Sequence, residues 1–192
     1  MAESIRSWDL SILNFIQEHW KTPFGDAVMP VVTKLGDAGI IWIIIAVILL
    51  FIKKYRRAGA GMIVAMLLGL LFGNAILKNL IARDRPFAFN EAVTLLIDRP
   101  TDFSFPSGHT LSSFAAATVL LCNDKRLGIP ALALACLIAF SRMYLYVHYP
   151  TDILCGILLG VALAFFAVWI VNRLFRYWEK RTLKKPSSPM LL

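Results

Sequence analysis

Three short stretches of the chain hold side chains that could act together on an anion. The first is Phe105-Pro106-Ser107-Gly108-His109. Ser107 is a helix-capping residue type, Gly108 lets backbone N–H groups approach an anion, and His109 titrates near neutrality and can donate a proton. The second pairs Lys78 with Arg85, seven residues on and followed by Pro86. On a continuing helix that spacing is two turns, so both cations point the same way, and two cations on one side suit a dianion. The third is SRMYLYVHYPTD, which holds Ser141, Arg142, His148, Pro150 and Asp152. An arginine inside an apolar run is costly and marks a functional position. Pro150 suits the first turn of a helix, and Asp152, four residues after His148, can then orient the imidazole and make it a nucleophile or a base. Taken singly, each stretch also has a plain structural reading: a capped helix start, a snorkelling lysine with a solvated arginine, a histidine at a helix end.

The elements that must position these residues are membrane spans. Of 192 residues, 58% are hydrophobic and only 17% charged, with a mean hydropathy of +0.68, too apolar for a soluble core. The net charge of +8 does not indicate nucleic acid, because Lys and Arg sit at the ends of apolar runs and not on one basic face. Residues 5–20 place Ile5, Trp8, Ile12, Phe15, Ile16 and Trp20 near helical spacing, with Arg6, Asp9, Asn14, Gln17 and Glu18 on the other face. This predicts an amphipathic helix in the membrane interface, within residues 1–23, in which His19 is interfacial and not functional. The N-terminus lacks the continuous apolar run of a cleavable signal peptide.

Five spans follow: Ala38 to Ile52, with an extension back through Met29–Val32; Gly59 to Leu77, interrupted by Asn74; His109 to Cys122; Ile129 to about Val147; and Asp152 to Val171. The expectation is an all-α integral membrane bundle in one domain, 1–192, ending in a basic tail over 173–192 with Arg173, Arg176, Lys180, Arg181, Lys184 and Lys185. Placing the 53–57 loop, the 123–128 turn and this tail in the cytoplasm puts twelve Lys and Arg inside. The three candidate clusters then share the extracytoplasmic side. Cys122, Cys136 and Cys155 are an odd count in apolar segments and are read as inert packing residues. The pairs Gly69/Gly73 and Gly156/Gly160 are read as sites of close helix packing.

Joined in order, Lys78-x6-Arg85-Pro86, Pro106-Ser107-Gly108-His109 and Ser141-Arg142-x5-His148-x3-Asp152 resemble the three-part signature of the type 2 phosphatidic acid phosphatase (PAP2) superfamily. The resemblance spans residues 78–152. It implies a metal-independent, cofactor-free phosphomonoesterase or pyrophosphatase that passes through a phosphohistidine. His148, oriented and made more basic by Asp152, would attack phosphorus; His109 would protonate the leaving oxygen and then activate water. Lys78, Arg85, Arg142, Ser107 and Gly108 would hold the phosphoryl oxygens. No carboxylate cluster suited to a divalent ion accompanies the motifs. A two-histidine site predicts a bell-shaped pH profile, since cations lower a histidine pKa while Asp152 raises that of its partner.

A site at the outer interface suits a membrane lipid phosphate. The chain looks like the short bacterial undecaprenyl diphosphate phosphatases, while phosphatidylglycerophosphate, phosphatidic acid, diacylglycerol pyrophosphate and lipid A phosphates share the motifs. The loop Phe87–Phe105 is the expected selector of substrate. The contrasting reading is an anion transporter; five spans without an inverted repeat, and ionisable groups at one face only, count against it. Oligomeric state does not follow from the sequence.

Overall fold

The computed structural model describes residues 2–90 and 93–183. Lys184 and Lys185 of the expected basic tail lie outside the described residues. In hydrocarbon every backbone N–H and C=O must be paired within its own segment, which turns apolar runs of this length into helices. Among the described residues every regular element is helical, and the chain is an integral membrane helical bundle.

The helices are α1 (Ala2–His19), α2 (Pro23–Leu35), α3 (Ile40–Phe51), α4 (Arg56–Gly69), α5 (Lys78–Ile81), α6 (Gly108–Asn123), α7 (Lys125–Tyr144) and α8 (Pro150–Leu183). The stretch through Lys125–Tyr144 and that through Pro150–Arg181 are each long and apolar enough to cross a membrane, as is Arg56–Ala88. α2 and α3 pass the same test only as a pair bent by 41°, which makes up to four candidate spans among the described residues against the five expected; α6, the expected third span, is not one of them. The bend lies at Ala38 and Gly39, with φ of 49° and 66°, so the backward extension of the first span is real but broken. α6 has 16 residues, about 24 Å of helix, and is buried along most of its length. It is the central post, with α4, α7 and α8 around it.

Small residues set how closely α8 approaches that post. A Cβ on Gly160 would lie 2.6 Å from the Leu111 carbonyl oxygen, and one on Gly156 3.0 Å from that of Ser107. This backbone-to-backbone contact brings the start of α8, with Asp152, against the start of α6. There the Ser107 N–H donates to the Asp152 carbonyl at 3.3 Å.

Several boundaries differ from the sequence expectation. α4 passes through a π-helical stretch, Leu70–Leu77, before the short α5. α5 stops at Ile81 because Ala82 turns left-handed, with φ of 46°. Lys78 and Arg85 therefore do not share one helical face. α7 ends at Tyr144, short of Val147, while α8 runs on to Leu183, so Arg173, Arg176, Lys180 and Arg181 belong to a helix. Cys122 and Cys136 are exposed on the bundle and do not pack inside it.

The largest difference concerns α1. Its helical spacing is as expected, but Trp8, Phe15 and Trp20 face outward while Asp9 is fully buried. Asn14 and Gln17 also turn inward, to Tyr146 and Tyr144. The side toward the bundle is mixed, with Leu13 and Ile16 buried beside Asp9. His19 stays exposed, stacked on Phe15 with ring centroids 4.4 Å apart.

Candidate active site

The turn between α7 and α8 carries His148, which is 1% exposed. Asp152 sits at the third position of α8, where a carboxylate can reach back to the N–H that precedes the helix. It accepts from the Tyr149 N–H at 2.9 Å. The same oxygen accepts from the Ser104 hydroxyl and faces His148 Nδ1 at 3.4 Å. On the other side of the ring, Arg85 Nη1 lies 3.1 Å from His148 Nε2. A guanidinium can only donate, so Nε2 bears the lone pair and the ring proton is on Nδ1, toward Asp152. The free lone pair points at the cations, which is the tautomer an attacking nitrogen needs.

Lys78 and Arg85 converge although α5 ends between them, because both are held by Asp102. Arg85 Nη2 donates to one carboxylate oxygen at 2.6 Å and Lys78 Nζ to the other. Arg85 is fixed further by its bonds to the Val147 and Asp102 carbonyls at 2.7 and 2.9 Å. Burial alone would raise the Asp102 pKa, but the hydrogen bond from Lys78 and the charges of Arg85 and Lys78 outweigh it and hold it at about 2. A carboxylate thus sits on the two cations that an incoming phosphate would use.

Arg142 reaches the same space from the last turn of α7. Its Nη1 donates to the Thr33 hydroxyl at 2.5 Å, and its buried Nε has no partner. Ser107 caps α6, its hydroxyl oxygen accepting from the Thr110 N–H and Oγ at 3.5 and 3.0 Å. The first N–H groups of α6, at Gly108 and His109, have no acceptor inside the helix. Gly108 lies close against Asn74 of the π stretch: a Cβ there would be 3.1 Å from Asn74 Oδ1. His109 Nε2 meets Asp37 Oδ1 at 2.8 Å. A carboxylate only accepts, so Nε2 carries the proton.

A cavity of about 1010 Å³ joins these groups. Lys78, Arg85, Gly108, His109, Arg142 and His148 line its polar end. Ser107 and Asp152 are not among the lining residues; both are fully buried behind it. The other end is walled by Ile43, Ile63, Met66, Leu67, Leu70 and Leu111, from α3, α4 and α6. Part of the 87–105 loop, including Leu96, Ile97, Asp98 and Asp102, forms a further wall.

The His148 pKa is driven well below its ordinary 6.5 by burial first, then by Arg85, Arg142, His109 and Lys78. Burial and these neighbouring charges outweigh the expected basifying effect of Asp152. His148 is therefore neutral, the state in which Nε2 keeps its lone pair.

A model of the family described as the PAP2 superfamily matches residues 54–176. The chain belongs to the PAP2 superfamily. It is 37% identical over 131 residues to an undecaprenyl-diphosphatase of Sulfolobus acidocaldarius, a match covering 68% of this chain and 63% of that protein. The chain thus spans less than two thirds of that relative's length. Among solved structures, LpxE of Aquifex aeolicus superposes with a TM-score of 0.74 at 28% identity, covering 84% of this chain and 94% of that one. A transmembrane PAP2-type phosphatidylglycerolphosphate phosphatase of Bacillus subtilis gives 0.71, also at 28% identity, over 88% and 87%. All eight residues assigned to catalysis and phosphate binding from the PAP2 signature lie within the matched stretch. Sequence reasoning missed Asp37, Asp102, Thr33, Ser104, Arg83 and Asp9, single residues outside the signature positions whose importance comes from what they face.

Proposed function

We propose that this PAP2 protein is a metal-independent lipid phosphate phosphatase that works through a phosphohistidine, with undecaprenyl diphosphate as its substrate and its site on the extracytoplasmic side of a bacterial cytoplasmic membrane. One observation carries the reading: a single cavity joins three buried cations, the buried His148 and the half-buried His109 to an apolar trough between α3 and α4. That shape fits a phosphate head on a hydrocarbon tail and has no use for the trough with a soluble ester. The relatives named for undecaprenyl diphosphate and phosphatidylglycerophosphate support the class.

In this mechanism the terminal phosphate displaces Asp102 from Lys78 and Arg85. It takes up the unpartnered Arg142 Nε and the N–H groups at Gly108 and His109. Nε2 of His148 attacks phosphorus while the P–O bond to the leaving group opens, and His109, cationic at that step with Asp37 as its counterion, gives its Nε2 proton to the leaving oxygen and is left neutral. His109 then takes a proton from water as that water attacks phosphorus, which releases inorganic phosphate and restores His148. Ser107 supports the α6 N-terminus and Asp152 steadies the Nδ1–H tautomer.

The reading is tested by phosphate release from purified protein in chelator-containing detergent, against a panel of lipid monophosphates and diphosphates. Hydrolysis abolished by His148→Ala is expected, fastest on undecaprenyl diphosphate. Preference for soluble sugar phosphates overturns the lipid assignment, and activity lost with the chelator overturns metal independence.

A further inference from the structure

Arg83 lies between the two signature cations and belongs to neither the cavity nor the expected site. Its Nη1 donates to Asp152 Oδ1 and to the Thr151 hydroxyl, both at 2.7 Å. Its Nη2 donates to Asp9 Oδ2 at 2.6 Å, and its guanidinium lies 3.8 Å from the Tyr149 ring centroid. Asp9 in turn accepts from the Thr151 N–H at 3.0 Å and from its hydroxyl at 2.6 Å. Asp9 and Asp152 are both fully buried. Two further bonds tie α1 to the same turn: Tyr146 O–H to Asn14 at 2.9 Å and Gln17 Nε2 to the Tyr144 carbonyl at 2.8 Å.

We propose that Asp9 and Arg83 are positioning residues that set His148 through Asp152, so that the N-terminal interfacial helix is a working part of the active site. The inference rests on the phosphatase reading of His148. Arg83 divides one positive charge between two carboxylates. As Asp9 draws part of it away, Asp152 keeps enough negative charge to steady the imidazole when it becomes cationic on bonding to phosphorus. The other charged or titratable groups facing His148 are Lys78 from α5, Arg85 and Asp102 from the following loop, His109 from α6 and Arg142 from α7. All but Asp102 oppose positive charge on the ring, so Asp152 is its immediate counterion.

Asp9→Asn keeps the shape but removes the charge and one of the two accepting oxygens, leaving Arg83 to bear fully on Asp152. The expected result is a kcat lower by about tenfold, KM within about twofold, and an acid limb of the pH profile moved to lower pH because the ring binds a proton less well. Asp9→Glu should recover most of the loss. In an Arg83→Gln background, Asp9→Asn should cost little more, since the two act as one unit. Thr151→Val cuts the hydroxyl bonds to both residues without changing a charge, and should lower kcat about threefold with the acid limb in place. It serves as the second probe if Asp9→Asn does not fold. Wild-type kcat and acid limb in Asp9→Asn, with only a lower melting temperature, overturn the inference; so does wild-type kcat in Thr151→Val, or losses that multiply. If the wild type itself releases no phosphate, the phosphatase reading fails, and the relay is judged by the ring ¹⁵N titration of His148. Asp9→Asn must still move that titration to lower pH for the relay to stand.

Discussion

Asp102 makes a quantitative prediction, because in the proposed mechanism it occupies the place of the substrate's charge. Its carboxylate bridges Lys78 and Arg85, and its pKa falls from the ordinary 3.8 to about 2. At about 1.36 kcal/mol per tenfold in proton affinity this corresponds to about 2.4 kcal/mol of attraction. The side chain is 53% exposed, so solvent screening reduces the usable part to about 1 kcal/mol. A phosphate that takes both cations must give that up. A carboxyl with a depressed pKa contributes above its unfolded value near 3.8 and loses its effect only as pH falls through about 2. The competition is therefore fully present at any pH where a phosphatase would be assayed. Asp102→Asn should tighten competitive inhibition by orthophosphate about fivefold and lower KM similarly, by the same factor at pH 6 and pH 8. The assay is lipid phosphate hydrolysis in detergent micelles across a phosphate series. Unchanged or weaker inhibition in the variant would refute the competition and make Asp102 a residue that arranges the cations for substrate.

Further outcomes follow from the same geometry. His148 is held well below 6.5, so the acid limb of kcat/KM lies below pH 6.5, and a limb at or above that value contradicts a buried neutral nucleophile. The sign for stability is the same: the unfolded chain binds that proton more readily, so thermal stability falls as pH drops below about 6.5. His109→Ala should cost about 10²- to 10⁴-fold on lipid monophosphates, whose alkoxide must be protonated to leave, but far less on a nitrophenyl phosphate, whose leaving group needs no acid; equal losses on both would remove His109 from that role. Gly160→Ala meets the Leu111 carbonyl, which cannot move aside, and should destabilise by about 1–3 kcal/mol in detergent melting curves. An unchanged melting temperature would mean α8 and α6 are not locked together.

The apolar helices and the His148–Asp152 pair were legible because their signals are local. The nineteen residues from Gly59 to Leu77, apolar but for Asn74, must be helical in lipid, and Asp152 four after His148 with Pro150 between them is a helix-start geometry that survives folding. Lys78 and Arg85 were paired correctly for a wrong local reason. The sequence suggested one continuous face, whereas the chain turns at Ala82 and the two meet because Asp102 attracts both. Asp102, Asp37 and Asp9 carried no signal, since a lone carboxylate on a loop or an amphipathic helix looks solvated until its partner arrives from elsewhere in the chain. In α1 the usual rule that polar faces outward holds for Leu13 and Ile16, which are buried, and fails at Asp9, whose partners are Arg83 and Thr151. Asp9 could have been suspected only from the cost of leaving Arg83 unpaired near a membrane surface.

The trough between α3 and α4 also changes what concentration means for this protein. Ile43, Leu67 and Leu70 line it and remain 45%, 60% and 56% exposed on the bundle flank. A tail that slides along such a flank never leaves the bilayer, so the quantity that saturates the site is a mole fraction of lipid in the plane of the membrane. Adding inert phospholipid at fixed total substrate should then slow turnover, while diluting whole vesicles into buffer should leave the rate per vesicle unchanged.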